Sequence, residues 1–286
     1  MIVTGSASQA LAAALARELE EPLASVSYDR FPDGELLAAV PGFDADRAVI
    51  VASTGSSDAH LELLQLQDAV REAGAEEVLT VLPYMGYGRQ DRAFDRGQPI
   101  SARAVARAIS TGTDRVLTVN PHEAAVCEFF EPTAESIDAA GHLAEPLPDD
   151  LADPVFLSPD AGAIELAETV RDAYGEGDVD YFEKVRHSGT DVEITPSDVD
   201  VERRDVVVVD DIIATGSTMS EAIAVLGERG VGRVFVSCVH PLLVRDAYAK
   251  LSSAGVEAIF GTDTIERPAS AVSVAPTVAR ALEASD

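Results

Sequence analysis

Four consecutive valines, Val206–Val209, run into two aspartates, Asp210 and Asp211, and then into Ile212-Ile213-Ala214-Thr215-Gly216-Ser217-Thr218. The apolar run is too short for a helix and reads as a strand buried on both faces, the pattern of a parallel sheet. From Ser217 the spacing turns helical (STMSEAIAVLGERG) and ends on Gly230. The loop between them therefore lies at the carboxyl end of a parallel strand, where open α/β sheets bind ligands. Thr215, Gly216, Ser217 and Thr218 can turn backbone N–H groups and hydroxyls toward one phosphate at the positive end of the following helix. Asp210 and Asp211 would repel that phosphate; they suit the two ring hydroxyls of a ribose, directly or through a divalent metal. The same residues also fit a plain strand-turn-helix junction in which Asp211 or Ser217 caps the helix.

Short apolar segments alternate with amphipathic ones along the rest of the chain. Strands are expected over residues 1–4, 23–28, 48–53, 78–82 and 116–120, with helices over 8–20, 58–73 and 101–110. The pattern returns with strands over 155–158, 206–210, 233–239 and 256–260 and helices over 162–174, 217–228 and 242–253. Such alternation gives an α/β fold, a mostly parallel sheet covered by helices, here met twice. Gly141, Pro146, Pro148, Asp149, Asp150 and Pro154 interrupt all periodicity, so two domains are expected, residues 1–141 and 142–286, with a cleft between them. With 286 residues, 47% of them hydrophobic, each domain can bury its own core.

The charge balance excludes whole classes of partner. Fifty acidic residues against 21 basic ones give a formal net charge of -29, which repels nucleic acid and acidic lipid alike. The acidity is spread along the chain and is not a terminal block, and the basic residues include only two lysines, Lys184 and Lys250. Dispersed carboxylates with almost no lysine describe a surface tuned to concentrated salt, where repulsion is screened within a few ångström, so a halophilic host is expected. No apolar stretch is long enough to span a membrane, and the start, MIVTGSASQ, lacks the basic region and apolar segment of a signal peptide. A cytoplasmic location follows. Cys127 and Cys238 lie in apolar surroundings without CxxC spacing and read as core residues.

Three further segments carry candidate chemistry. Pro83-Tyr84-Met85-Gly86-Tyr87-Gly88-Arg89-Gln90-Asp91-Arg92 leaves a strand and opens a long loop in which Arg89, Arg92 and Arg96 make a basic patch. These arginines could stack on an adenine or fork onto a phosphate, or simply pair with Asp91 and Asp95 on a solvated loop. Arg30-Phe31-Pro32-Asp33-Gly34-Glu35 has turn chemistry with an aromatic at its edge. Lys184 ends the apolar-polar alternation of residues 179–185 and precedes the turn-like, cationic Arg186-His187-Ser188-Gly189-Thr190. An ammonium beside a guanidinium suits diphosphate transfer, because charge spreads onto the moving phosphoryl oxygens; two surface cations facing acidic neighbours would look the same. No GxxxxGK[ST] occurs, so nucleotide binding of the P-loop kind is excluded. His60, His142, His187 and His240 have no spacing that points to a metal site.

Residues 206–218 resemble the phosphoribosyl-diphosphate binding motif shared by type I phosphoribosyltransferases and ribose-phosphate diphosphokinases. The first half decides between them. Phe31–Glu35, Ser53–Gly55, Pro83–Arg92, His122 with Phe129 and Phe130, and Ser158–Asp160 resemble, in that order, the motifs of ribose-phosphate diphosphokinases. The resemblance implies two type I phosphoribosyltransferase-like domains, the first on the ATP side and the second holding ribose 5-phosphate. It implies that Phe31, Asp33, Gly34 and Glu35 contact the adenine end of ATP and that Arg89 and Gln90 hold its base and phosphates. It implies that His122 and Asp160 serve the Mg2+ that accompanies ATP, and that Lys184 and Arg186 are the catalytic pair on a flexible loop. Asp210, Asp211, Ala214, Thr215, Gly216, Ser217 and Thr218, with Arg186, would hold ribose 5-phosphate. Ala214 stands where many bacterial members have an aspartate, and His187 where many members are more basic. Related enzymes place the Phe31-type loop over the ATP of another subunit, which implies at least a homodimer. The rivals are a phosphoribosyltransferase, which needs no ATP, and a non-catalytic regulatory subunit of the same family.

Overall fold

The computed structural model describes residues 1–186, 192–196 and 199–284. In chain order its first elements are β1 (Ile2–Thr4), α1 (Gln9–Glu18), β2 (Ser27–Arg30), β3 (Leu36–Ala39), β4 (Arg47–Val51), α2 (Ser57–Glu72), β5 (Glu77–Leu82), α3 (Ser101–Ser110), β6 (Arg115–Val119) and β7 (Thr133–Ile137). Strands β1, β4, β5, β6 and β7 form one parallel sheet in that order. Val78, Val81 and Leu82 of β5 are fully buried, as a parallel strand covered on both faces requires. Helix α3 buries Ala102, Ala106 and Ile109, a stripe at helical spacing that faces the core and leaves its arginines outside.

The second half supplies β8 (Val155–Ser158), α4 (Ile164–Tyr174), β9 (Asp178–Arg186), β10 (Val192–Pro196), β11 (Val206–Ile212), α5 (Ser217–Glu228), β12 (Val234–His240), α6 (Ala247–Ser253), β13 (Ala258–Thr262), β14 (Ser270–Val272) and finally α7 (Ala275–Glu283). Its sheet runs β10-β9-β8-β11-β12-β13-β14, parallel except for the β9–β10 hairpin. Val206–Val209 are fully buried at its centre. The sequence alternation thus produces the α/β fold expected of it.

Two local readings differ from the structure. The strand expected over 23–28 is a single bridge at Leu23 followed by an antiparallel hairpin, Ser27 opposite Ala39 and Arg30 opposite Leu36. The segment after Pro121 forms a 3-10 helix, Ala124–Phe129. The helix expected from residue 242 begins only at Ala247, because Leu243 and Arg245 take left-handed φ values of 43° and 59°. Leu243 N–H and Val244 N–H donate instead to the carbonyls of Ile213 and Ala214.

By packing, the chain divides into two compact units. One unit comprises Met1–Asp138, Asp263–Glu266 and the segment from Ser273 onward, the other Ala139–Thr262 and Arg267–Val272. The reason is amphipathic packing: α7 buries Ala275, Val278, Ala279 and Leu282 and packs with α1, whose Leu11, Ala12, Leu15 and Ala16 are buried. Glu266 belongs to the same unit and accepts from the N–H groups of Ala10 (2.6 Å) and Leu11 (3.2 Å) in the first turn of α1. Cys238 is fully buried, whereas Cys127 is half-buried.

Candidate active site

In the first unit the loops that follow β4 and β5 are held to each other by groups that neither strand uses. Thr54 N–H donates to the Tyr84 carbonyl at 2.9 Å, and Gly86 N–H donates back to Thr54 Oγ1 at 3.0 Å. A Cβ at Gly86 would lie 1.9 Å from the Thr54 carbonyl oxygen, so this approach exists only because residue 86 is glycine. Ser53 N–H donates to Ser8 Oγ at 2.8 Å, which joins the loop after β1 to the same edge. Tyr87, at φ 62°, places its hydroxyl 3.0 Å from Ser57 Oγ in the first turn of α2.

The basic loop continues from there. Gln90 is half-buried and uses its amide on the loop itself, donating to the Pro99 carbonyl and accepting from Ser101 Oγ, both at 3.3 Å. Arg89 is exposed. Arg92 lies 5.3 Å from the centre of the exposed Phe94 ring, and neither Asp91 nor Asp95 forms an ion pair with these arginines among the described residues. The Arg92–Phe94 contact is a cation–π pair within the loop.

The Phe31 turn joins β2 to β3 and reaches the same region through Arg30, which pairs with Asp58 in the first turn of α2. Phe31 N–H donates to the Glu35 carbonyl (2.8 Å) and Gly34 N–H to the Phe31 carbonyl (2.9 Å), with Gly34 at φ 95°. Asp33 Oδ1 accepts from Glu35 N–H at 3.2 Å, so Asp33 shapes the turn as well as facing solvent. Half of the Phe31 side chain is exposed (50%), a cost in water that a ligand's ring would relieve. His122 lies exposed beyond the carboxyl end of β6, after the left-handed Asn120 (φ 35°).

In the second unit the register sets the site. Leu157 of β8 pairs with Val208 of β11, so the residues that follow, Ser158–Asp160 and Asp210–Asp211, emerge side by side at one edge. Asp160 Oδ1 accepts from Gly162 N–H at 3.1 Å and opens the helical segment that leads into α4. Burial, and then the neighbouring charges of Asp211 and Asp160, push the Asp210 carboxyl well above its ordinary range. Hydrogen bonds from Asp211 N–H to Asp210 Oδ1 (2.9 Å) and from Ile212 N–H to Asp211 Oδ1 (2.8 Å) fix both side chains over the loop. Gly216, at φ 69°, precedes α5 without any side-chain cap, which leaves the first N–H groups of the helix for another acceptor. Thr215 Oγ1 lies 3.4 Å from Ser217 Oγ.

Strand β9 pairs with β8 as far as Ser158 opposite Tyr181, and its continuation carries Lys184 and Arg186 past the carboxyl end of β8. There Lys184 stands opposite Ile194 and Arg186 opposite Val192 of β10. His187, Ser188, Gly189 and Thr190 lie outside the described residues.

No group of three or more His, Cys, Asp and Glu side chains among the described residues could hold a metal by itself. Mg2+ does not ask for such a cage, since it commonly binds one or two carboxylates, several waters and the phosphates of a nucleotide. The oxygen donors of Asp160, Asp210 and Asp211, whose mutual repulsion a divalent cation would relieve, fit that chemistry.

One group at this edge was marked in the sequence only for its rarity. Lys250, on α6, reaches the loop before α5, with Nζ 3.4 Å from the Thr215 carbonyl and 3.3 Å from Ser217 Oγ. Nothing in its local sequence points there. In the first unit, His60 was set aside for want of a metal pattern. Its ring lies 5.3 Å from that of Tyr87, its two nitrogens are buried without a hydrogen-bond partner, and burial lowers its pKa to about 4.

Comparison with known proteins agrees with this geometry. Residues 1–112 match the N-terminal domain of ribose phosphate pyrophosphokinase, and residues 130–264 match the phosphoribosyl transferase domain. The ribose-phosphate pyrophosphokinase of Halobacterium salinarum is 65% identical over 283 residues, covering 99% of this chain and 100% of the relative. That of Methanopyrus kandleri is 45% identical, covering 94% of each. The crystal structure of phosphoribosylpyrophosphate synthetase from Mycobacterium smegmatis superposes with a TM-score of 0.83 at 26% identity, over 100% of this chain and 98% of that one. Similarity along its whole length leads to one conclusion: the chain belongs to the ribose-phosphate pyrophosphokinase family.

Proposed function

We propose that this chain is a ribose-phosphate diphosphokinase, which transfers the β,γ-diphosphate of Mg-ATP to the anomeric hydroxyl of ribose 5-phosphate and releases AMP. The product, 5-phosphoribosyl 1-diphosphate, feeds nucleotide synthesis. The observation that carries this reading is the 65% identity to a ribose-phosphate pyrophosphokinase along 99% of the chain, first-half loops included. A phosphoribosyltransferase has no use for those loops.

The residues divide the work. Phe31, Asp33, Gly34 and Glu35 meet the adenine end of ATP, and Arg89 supplies charge to its phosphates, with Gln90 setting the course of the loop. Thr215, Gly216, Ser217 and Thr218 anchor the 5-phosphate on the uncapped start of α5, beside Ala214, while Asp210 and Asp211 hold the ring hydroxyls. The anomeric oxygen forms a bond to the β-phosphorus as the bond from that phosphorus to the α-phosphate bridging oxygen breaks. Lys184 and Arg186 stabilise the charge on the transferring oxygens, an electrostatic contribution that leaves the protein little covalent work. His122 and Asp160 would each serve a Mg2+ that accompanies ATP, and such a cation would neutralise phosphate charge.

The acid-rich composition supports a halophilic setting, and no helix among the described residues is long and apolar enough to cross a membrane, which agrees with a cytoplasmic enzyme. The exposed Phe31 and Phe94 support assembly into at least a homodimer. Neither nucleic acid nor membrane is a partner suited to a charge of -29.

The test is AMP formation from ATP in molar potassium chloride, with and without ribose 5-phosphate. Ribose-dependent AMP supports the reading. A chain that binds both substrates and forms no AMP would be a non-catalytic subunit.

A further inference from the structure

One of two lysines in a chain of 286 residues with 50 acidic residues lies closer to loop oxygens than to any carboxylate it pairs with. Lys250 Nζ lies 3.9 Å from Asp246, whose side chain is largely exposed, and closer to the Thr215 carbonyl (3.4 Å) and Ser217 Oγ (3.3 Å). A charge-assisted hydrogen bond runs shorter than this, near 2.8 Å, so neither loop atom saturates the ammonium. About a third of the side chain remains exposed (33%).

The placement of the ammonium is built into the packing. Gly216 adopts φ 69°, and a Cβ there would meet Leu251 Cγ at 3.3 Å and Ala247 Cβ at 3.6 Å, so α6 lies directly on the loop. The stretch leading into α6 is tied to the same loop by Leu243 N–H on the Ile213 carbonyl (2.9 Å) and Val244 N–H on the Ala214 carbonyl (3.0 Å). With Ala247 and Leu251 fully buried, the register of α6 brings the intervening Lys250 to Thr215 and Ser217.

The electrostatics ask for such a group. A sugar phosphate arriving at Thr215–Thr218 brings a dianion to a loop that directly follows the carboxylates of Asp210 and Asp211. The helix end supplies only about half a charge.

Resting on the reading of this loop as the sugar-phosphate site, we propose that Lys250 is a phosphate-binding residue, whose ammonium completes the anion site formed by the loop Thr215–Thr218. When ribose 5-phosphate is bound, the ammonium donates to a phosphate oxygen in addition to Ser217 Oγ. It takes no part in diphosphate transfer.

The experiment compares wild type, Lys250→Met and Lys250→Arg in molar potassium chloride, by calorimetric titration with ribose 5-phosphate, by steady-state kinetics and by thermal melting. Lys250→Met is expected to weaken ribose 5-phosphate about tenfold or more, the loss of one charge-assisted bond, with kcat and the KM for ATP changed less than about twofold. Lys250→Arg should restore most of the affinity. Equal binding by wild type and Lys250→Met overturns the role of Lys250 and leaves the sugar-phosphate loop standing, whereas a wild type that does not bind ribose 5-phosphate overturns both. A Lys250→Met protein that melts early and loses ATP and ribose 5-phosphate affinity alike makes the lysine a tie between α6 and the loop, which also overturns the proposal.

Discussion

The loops at the two carboxyl edges are shaped by different forces. In the first unit, Thr54 and Gly86 bind the loops after β4 and β5 through bonds of 2.9 and 3.0 Å, and the groups left outward are an exposed aromatic and exposed guanidiniums. In the second unit a short loop turns on one left-handed glycine under α6 and faces carboxylates that repel each other. The first edge is tied by hydrogen bonds between its loops and presents exposed guanidiniums and an aromatic ring, a surface that suits the base and polyphosphate proposed for it. The second is held in a state that a sugar and its counter-charges stabilise.

The largest expected effect separates chemistry from both edges. Lys184→Ala should lower turnover at least a hundredfold while leaving the affinities for ATP and ribose 5-phosphate within about threefold, as expected for a contact made mainly in the transition state. Steady-state kinetics with direct binding measurements check this. Unchanged turnover would return Lys184 to the surface.

The two glycines sharpen the comparison. Gly86→Ala drives a Cβ to 1.9 Å from the Thr54 carbonyl, and the two loops must part. The expected cost is about 2 kcal/mol, with ATP affinity falling and ribose 5-phosphate affinity kept. Gly216→Ala meets Leu251 at 3.3 Å in a left-handed conformation, an expected cost of about 1.5 kcal/mol with the opposite ligand pattern. Denaturant melts and titrations with each substrate read both. If both variants lose the same ligand, the edges are not specialised.

The smallest effect concerns acid. His60 sits with its pKa lowered from 6.5 to about 4 because burial disfavours the imidazolium. A depressed folded pKa contributes stability that is complete above the unfolded value and fades as pH falls toward the folded one. Wild type should therefore lose about 1 kcal/mol more than His60→Leu between about pH 6 and about pH 5. Asp210 acts in the opposite sense, since its raised pKa makes protonation favourable in the folded state. Parallel pH profiles for wild type and His60→Leu would show that the histidine is hydrated.

Much of this was readable in the sequence where it is local. The valine run became β11, and the helices over 101–110 and 217–228 begin and end as their spacing requires. The Phe31 turn was visible from Pro32, Asp33 and Gly34, but its partner strand was not, because Leu36–Ala39 has no alternation of its own. Helix α7 was missed along with its allegiance to the first unit, since the α1 face that covers it lies at the far end of the chain. The apolar 242–246 stretch looks helical until Ile213 and Ala214 claim its N–H groups. Thr54 and Gly86 were noted separately, and only the fold shows that one holds the other. Lys250 reaches its loop from 33 residues away, a distance that no motif records.

The proposed reaction moves an intact diphosphate. ATP labelled at the β position and ATP labelled at the γ position should each deliver their label to the anomeric diphosphate of ribose 5-phosphate, with AMP formed in equal amount. Transfer of the γ label alone, with ADP as the nucleotide product, would rule diphosphate transfer out.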